Sequence, residues 1–142
     1  MAAKNIFLYW VSGSPACWIV MTALEEKGLS GYGNKLVSFS DMEHKSEEII
    51  KLNPRGQVPT FKHGDIILNE SKGICHYLEN QFKKQGTQLI PDDAAKQALV
   101  LQRMYEKLSL TADVKNSCKQ TEKQFRCLSA KLVGLTFIVI SK

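Results

Sequence analysis

The sequence predicts an α/β domain over residues 1–83, followed by a shortened all-helical region. Three observations predict it. Asn5 to Val11 (NIFLYWV) is a continuous apolar run of strand length, and Ser-Gly-Ser-Pro breaks it at a helix start. Two further short apolar segments flank His63-Gly64, the pattern of a hairpin. Beyond a polar stretch at Lys83 to Thr87, apolar residues recur at helical rather than strand spacing.

The elements follow in order. Asn5 to Val11 reads as a buried parallel strand. Pro15 suits the first turn of a helix, with Ser14 as the cap before it. Ala16 to Lys27 is apolar on most sides until Glu25-Glu26-Lys27, and Gly28 stops it. Lys35 to Phe39 is a second short strand. Ser46 to Leu52 is a short helix, with Glu47 and Glu48 in the first turn where the helix dipole favours them. Asn53-Pro54-Arg55-Gly56 forces a turn. Val58 to Lys62 and Asp65 to Leu68 form the hairpin. Ser71 caps a third helix whose apolar positions are Ile74, Tyr77, Leu78 and Phe82. Strand, crossover helix, parallel strand, then helix, hairpin and covering helix (βαβαββα) is the thioredoxin-like architecture. Residues 84–93 read as a linker and 94–142 as a partial helical domain. In that part Pro91-Asp92-Asp93 opens a helix carrying an apolar seam of Ala94, Ala98, Leu101, Tyr105 and Leu108.

Composition narrows the class. The chain has 142 residues, 44% hydrophobic and 23% charged, as in a soluble globular protein. The formal net charge of +5 favours anionic ligands. However, Lys27, Lys35, Lys45, Lys51 and Lys62 are scattered, which reads as a solvated basic surface and not as a nucleic-acid stripe. No apolar run is long enough to span a bilayer, and Met1 to Asn5 has no targeting pattern. Cys17, Cys75, Cys118 and Cys127 lack metal-ligand spacing and read as free thiols of a reducing, cytoplasmic compartment, with no metal expected.

The chemistry is expected at the first strand-to-helix turn. Ser14-Pro15-Ala16-Cys17 copies the C-P-x-C spacing of thiol oxidoreductases with Ser in place of the nucleophilic Cys. A hydroxyl cannot form a mixed disulfide, but it can donate a hydrogen bond to a thiolate, and the helix N-terminus adds N–H groups and partial positive charge. From this turn alone Ser14 reads rather as a plain cap. Val58-Pro59 allows a cis proline whose neighbour offers its backbone to an extended peptide, or an ordinary trans proline. Glu70-Ser71 at a helix start can hold an amine and a carboxylate, or can merely cap.

Taken together, Ser14 to Trp18, Asn53 to Phe61 (NPRGQVPTF) and Glu70 to Leu78 (ESKGICHYL) resemble the cytosolic glutathione transferases. Within them the chain is similar to the serine-type branch around theta and delta, and most to the fish rho class. Met42-Glu43-His44-Lys45 adds to that closer match. The resemblance implies that Ser14 hydrogen-bonds the glutathione sulfur. It implies that Val58 pairs by its backbone with the cysteinyl unit, that Pro59 is the cis proline, and that Glu70 and Ser71 hold the γ-glutamyl end. His44, Lys45 and Gln57 fall where relatives hold the glycyl carboxylate. Glutathione is then a co-substrate, no other cofactor is implied, and hydrophobic electrophiles are the second substrates, with a homodimer among the expectations. Trp18 departs from the Arg of theta-type sequences, and Gly73 from the usual Ala of the third helix. Tyr9, near where other classes place a catalytic Tyr, reads as a core or rim residue.

The resemblance runs through residues 4 to 110, and Asn116 to Lys142 matches nothing in it. The expectation is a truncated, spliced or frame-shifted second domain, against a compact variant. Phe125 to Ile140 reads as either a helix or a strand. Two functional classes stay open: an enzyme conjugating glutathione to electrophiles, and a non-catalytic glutathione-binding module.

Overall fold

The structure, a computed structural model, describes residues 5–117, with side chains described through residue 106. The expectations for 118–142, including the helix or strand at 125–140, lie outside the described residues.

The first strand, β1 (Ile6–Trp10), leads into helix α1 (Pro15–Glu26), then β2 (Gly33–Leu36) and a single 3-10 turn at Glu43–Lys45. Helix α2 (Glu47–Leu52), the hairpin strands β3 (Thr60–His63) and β4 (Ile66–Leu68), and helix α3 (Ser71–Gln81) complete the domain. The sheet order is β2-β1-β3-β4. β1 and β2 are parallel, and the other two pairings are antiparallel. This is the thioredoxin-like βαβαββα architecture, with a mixed four-stranded sheet. Among the described residues no helix is long and apolar enough to cross a membrane.

Strand alternation divides the core between two faces. Leu8 pairs with Phe61 across β1 and β3, and both are fully buried. α1 and α3 pack against each other and supply Val20, Leu24, Ile74 and Leu78, all fully buried too. The opposite face carries Tyr9, Val37 and Ile49 under α2, with Phe7, Leu52 and Val58 packed around them. α2 is therefore seated on the sheet by its single buried residue, Ile49, and by polar bonds. Glu48 accepts from the Tyr9 hydroxyl at 2.7 Å and from Lys35 Nζ at 2.7 Å, joining α2 to β1 and β2.

Two elements differ from the sequence reading. β2 starts at Gly33 rather than Lys35 and ends before Val37, and its residues are largely exposed. Gly33 sits opposite Phe7, and a Cβ there would run into the Phe7 ring, so the bare backbone is what allows this edge strand to approach β1. In α3 the cap position belongs to Glu70, and Ser71 is the first helical residue.

Lys27, expected on a solvated surface, is wholly buried. It closes α1 and forms an ion pair with Glu79 of α3, whose side chain is only 3% exposed. The chain after α3 returns to the end of α1. Thr87 N–H donates to Glu26 O at 2.8 Å, and Gly86, at φ +62°, lies so close to the Lys27 backbone that no Cβ would fit.

The division between compact units falls between Gln88 and Leu89, so residues 84–88 of the expected linker belong with the first unit. The second unit contains α4 (Ala94–Ser117). Asp93 caps it, accepting from Lys96 N–H at 2.9 Å. Its half-buried stripe is Gln97, Val100, Leu101 and Met104, while Ala94, Ala98 and Tyr105 of the expected seam are exposed. The Leu108 side chain lies outside those described.

Candidate functional site

The loop from Asn53 to Thr60 is built around one buried side chain. Asn53 is 1% exposed. Its Nδ2 donates to Gln57 O at 2.9 Å, and its Oδ1 accepts from Arg55 N–H at 3.2 Å. Thr60 Oγ1 donates to the same Gln57 carbonyl at 2.8 Å. Gly56 N–H closes the turn on Asn53 O at 2.8 Å, and Gly56 adopts φ +56° beneath the His44 carbonyl, where a Cβ would sit 2.9 Å from that oxygen. The loop is thereby held against the 3-10 turn that carries His44 and Lys45. The Val58–Pro59 peptide is cis. β3 begins only at Thr60, so the ladder to β1 leaves the Val58 N–H and C=O outside it.

A groove of about 430 Å³ opens beside this loop. Its walls include His44, Lys45, Gln57, Val58, Pro59, Glu70 and Ser71, which are seven of the eight residues singled out in the sequence. Ala16, from the first turn of α1, also lines it, together with Phe39 and Asn69, which the sequence reading passed over.

The eighth residue, Ser14, lies two positions before Ala16 at the N-cap of α1 and is half-buried. Its Oγ accepts from Cys17 N–H at 3.4 Å, near the long limit of a hydrogen bond. The cap uses an oxygen lone pair and leaves the hydroxyl proton free to donate. Capping and thiolate binding are therefore compatible roles for one side chain. Cys17, at the second position of the C-P-x-C spacing, is fully buried. Burial pushes its thiol pKa up, and the Ser14 hydrogen bond offsets part of that rise. It is a core thiol, and the partly buried Cys75 is pushed up to about 12 by desolvation. Both are free cysteines.

The charged residues of the groove are linked through Arg55. Its guanidinium meets Glu70 Oε1 at 2.7 Å, and its carbonyl accepts from Lys45 Nζ at 2.8 Å. His44 packs edge-on to Phe39 with ring centroids 4.6 Å apart, and its Nδ1 is buried without a hydrogen-bond partner. No side chain caps the N-terminus of α3, so its first N–H groups meet the groove at Glu70-Ser71 with the positive end of the helix dipole behind them.

Tyr9 is not part of this groove. It is 7% exposed, its hydroxyl is committed to Glu48, and its pKa is pushed up to about 12, first by burial and then by the Glu48 carboxylate. Among the described residues no cluster of His, Cys, Asp or Glu could hold a metal ion.

Such a groove can hold an extended, doubly charged peptide. Its lining brings together the Val58 backbone outside the strand ladder, the Lys45 ammonium, and the Glu70 carboxylate at the start of α3. Ser14, Val58-Pro59 and Glu70-Ser71 are legible in the sequence as turns and helix starts, and His44, Lys45 and Gln57 only through the resemblance. Burial of the Asn53 amide and the reach of Arg55 to Glu70 are tertiary facts that the Asn-Pro-Arg-Gly turn does not reveal.

Comparison with known proteins agrees with the geometry. Residues 13–81 match the model of the glutathione S-transferase N-terminal domain. Glutathione S-transferase A of the plaice Pleuronectes platessa is 58% identical over 108 residues, covering 76% of this chain and 48% of the relative. A glutathione S-transferase structure from the Antarctic clam Laternula elliptica superposes with a TM-score of 0.73 at 41% identity, covering 94% of this chain and 63% of that one. A Drosophila mojavensis glutathione transferase homologue with bound glutathione gives a TM-score of 0.65 at 35% identity, covering 71% and 45%. The chain thus spans about half the length of the plaice relative. With fold, groove and sequence in agreement, the first unit of this chain is similar to the N-terminal domain of the glutathione S-transferases.

Proposed function

We propose that this chain binds glutathione in the groove and, as a transferase, conjugates its thiolate to electrophilic small molecules. The observation that carries the reading is the convergence of His44, Lys45, Gln57, Val58, Pro59, Glu70 and Ser71 on one groove beside the N-terminus of α1. In this reading Glu70 and Ser71 take the γ-glutamyl end, and Val58 pairs with the cysteinyl backbone. Lys45, His44 and Gln57 take the glycyl carboxylate. The ligand sulfur lies at Ser14, in the serine-type manner. Detoxification in the cytoplasm, and a homodimer, are the corresponding biological setting.

The energetics of thiol activation are modest. A free thiol has a pKa near ~8.5 and is mostly protonated at neutral pH. Lowering it by ~2 units takes about 2.7 kcal/mol of differential stabilisation. A hydroxyl donor to a charged acceptor contributes roughly 1.5–3 kcal/mol, and a helix N-terminus up to ~1 kcal/mol, so Ser14 and α1 together suffice. Only this chain's hydroxyl and backbone N–H groups are needed to hold the anionic sulfur.

The test is thiolate absorbance of bound glutathione against pH, in the parent chain and in Ser14→Ala. The variant is expected to keep glutathione affinity within about tenfold and to raise the bound thiol's pKa, since one charge-assisted bond is lost. An unchanged titration would remove Ser14 from the role. The second reading is a glutathione-binding module without conjugating activity. Turnover of a general electrophile on the same preparation separates the two.

A further inference from the structure

The ion pair at the rim of the groove is unexplained by the motif residues. Arg55 is fixed at its backbone twice, its N–H on Asn53 Oδ1 and its carbonyl under Lys45 Nζ, and the N–H of Gly56 after it closes on Asn53 O. Its side chain therefore starts from a set point and ends with Nη2 2.7 Å from Glu70 Oε1. The two side chains are 54% and 73% exposed, so their mutual attraction is largely screened by water. One guanidinium nitrogen meets one carboxylate oxygen, which leaves most of the five N–H donors and the other oxygen for a ligand.

We propose that Arg55 is a binding residue of this groove. Its guanidinium takes the α-carboxylate of the γ-glutamyl end while Glu70 holds the adjacent ammonium. The inference rests on the glutathione reading above and adds a residue and a selectivity to it. An α-amino-acid head carries its two opposite charges on neighbouring atoms. A carboxylate and a guanidinium already side by side are its complement, and they accept it as one ion pair accepts another, with no net charge brought to the rim. The uncapped N-terminus of α3 lends further N–H donors to the same carboxylate. The planar fork of Arg suits a carboxylate better than the point charge of Lys. The rim thus selects a zwitterionic head over a head with either charge alone.

Calorimetry on the full chain tests this with three probes: glutathione, glutaryl-Cys-Gly, which lacks the amine, and 4-aminobutyryl-Cys-Gly, which lacks the α-carboxylate. Arg55→Gln is expected to weaken glutathione and glutaryl-Cys-Gly about tenfold and to leave 4-aminobutyryl-Cys-Gly unchanged. Arg55→Lys is expected to restore part of the loss. The substitution leaves the Arg55 carbonyl, and hence the Lys45 bond, in place. Equal weakening of all three probes would overturn the proposal in favour of a loop-structuring role. No weakening of any probe would reduce the pair to a solvated surface contact. If the parent chain bound no glutathione, the underlying reading would fall first and this inference with it. If the parent binds and Arg55→Gln binds alike, only the inference falls.

Discussion

The buried pair Lys27–Glu79 gives the sharpest test of how this domain is held together. Replacing Glu79 by Gln keeps the shape and removes the charge. Lys27 is 0% exposed, so its ammonium would be left with no water and no counter-charge. Breaking such a pair from one side costs about 3–5 kcal/mol. Against a total stability of roughly 5–15 kcal/mol this is a large fraction. At roughly 4 °C per kcal/mol for a domain of this size it lowers Tm by about 12–20 °C. The exposed pair Lys51–Glu47, at 70% and 82% exposure, is the internal control, and its loss should cost less than about 1 kcal/mol. The double variant Lys27→Met with Glu79→Leu removes both charges and fills similar volume, so it should come within about 1 kcal/mol of the parent or exceed it. Calorimetric or denaturant unfolding measures all four proteins. A Glu79→Gln protein within 1 kcal/mol of the parent would refute the reasoning, as would a double variant no better than the single one.

Further outcomes follow from the polar contacts. In an ultraviolet tyrosinate titration, Tyr9→Phe should remove a component near pH 12. Glu48→Gln should move that component down but leave it above the ordinary value, since burial is the larger cause. The folded state holds this phenol protonated, so its contribution to stability is complete below about pH 10 and fades as pH rises towards 12. The Glu48 carboxyl is held low by hydrogen bonds from Lys35 and then Tyr9, so its contribution is present above the ordinary carboxylate range and is lost as pH falls through its folded value. Loss of the pH 12 component in some other tyrosine variant would show that the assignment is wrong. Asn53→Ala should cost about 1–3 kcal/mol of stability and weaken glutathione binding, because it takes a buried amide from the loop carrying Gln57, Val58 and Pro59. Unaltered affinity in calorimetry would mean that the loop keeps its shape without that side chain.

Much of the site was legible because its residues stand at punctuation marks of the chain. Ser14 precedes a helix-starting Pro15, and Val58-Pro59 opens a strand. Glu70-Ser71 opens a helix whose buried residues recur at helical spacing. Local rules of capping and turn formation act over three or four residues, so they can be read locally. Ser71 was placed one position off because Glu70 takes the cap conformation, at φ −111° and ψ 120°, without a side-chain cap bond to announce it. β2 was misplaced because β-branched and aromatic residues at Val37 to Phe39 outweigh Gly33 and Asn34 on propensity, while pairing with β1 favours the residues that can approach Phe7.

Sequence by itself determined the order of elements, the hairpin and the helix starts, because hydrophobic period, glycine and proline constrain backbone dihedrals whatever the rest of the chain does. The residues later found around one groove came from the resemblance that its motifs carry. Only the tertiary structure decided which charges are buried and which polar groups meet. Lys27 looked like one of several scattered lysines until α3 brought Glu79 to it and Gly86 closed against its backbone. Arg55 looked like a turn residue until a contact 15 positions away joined it to Glu70. Desolvation and Coulomb attraction depend on distance and surroundings in space, and the sequence specifies neither before the chain has folded.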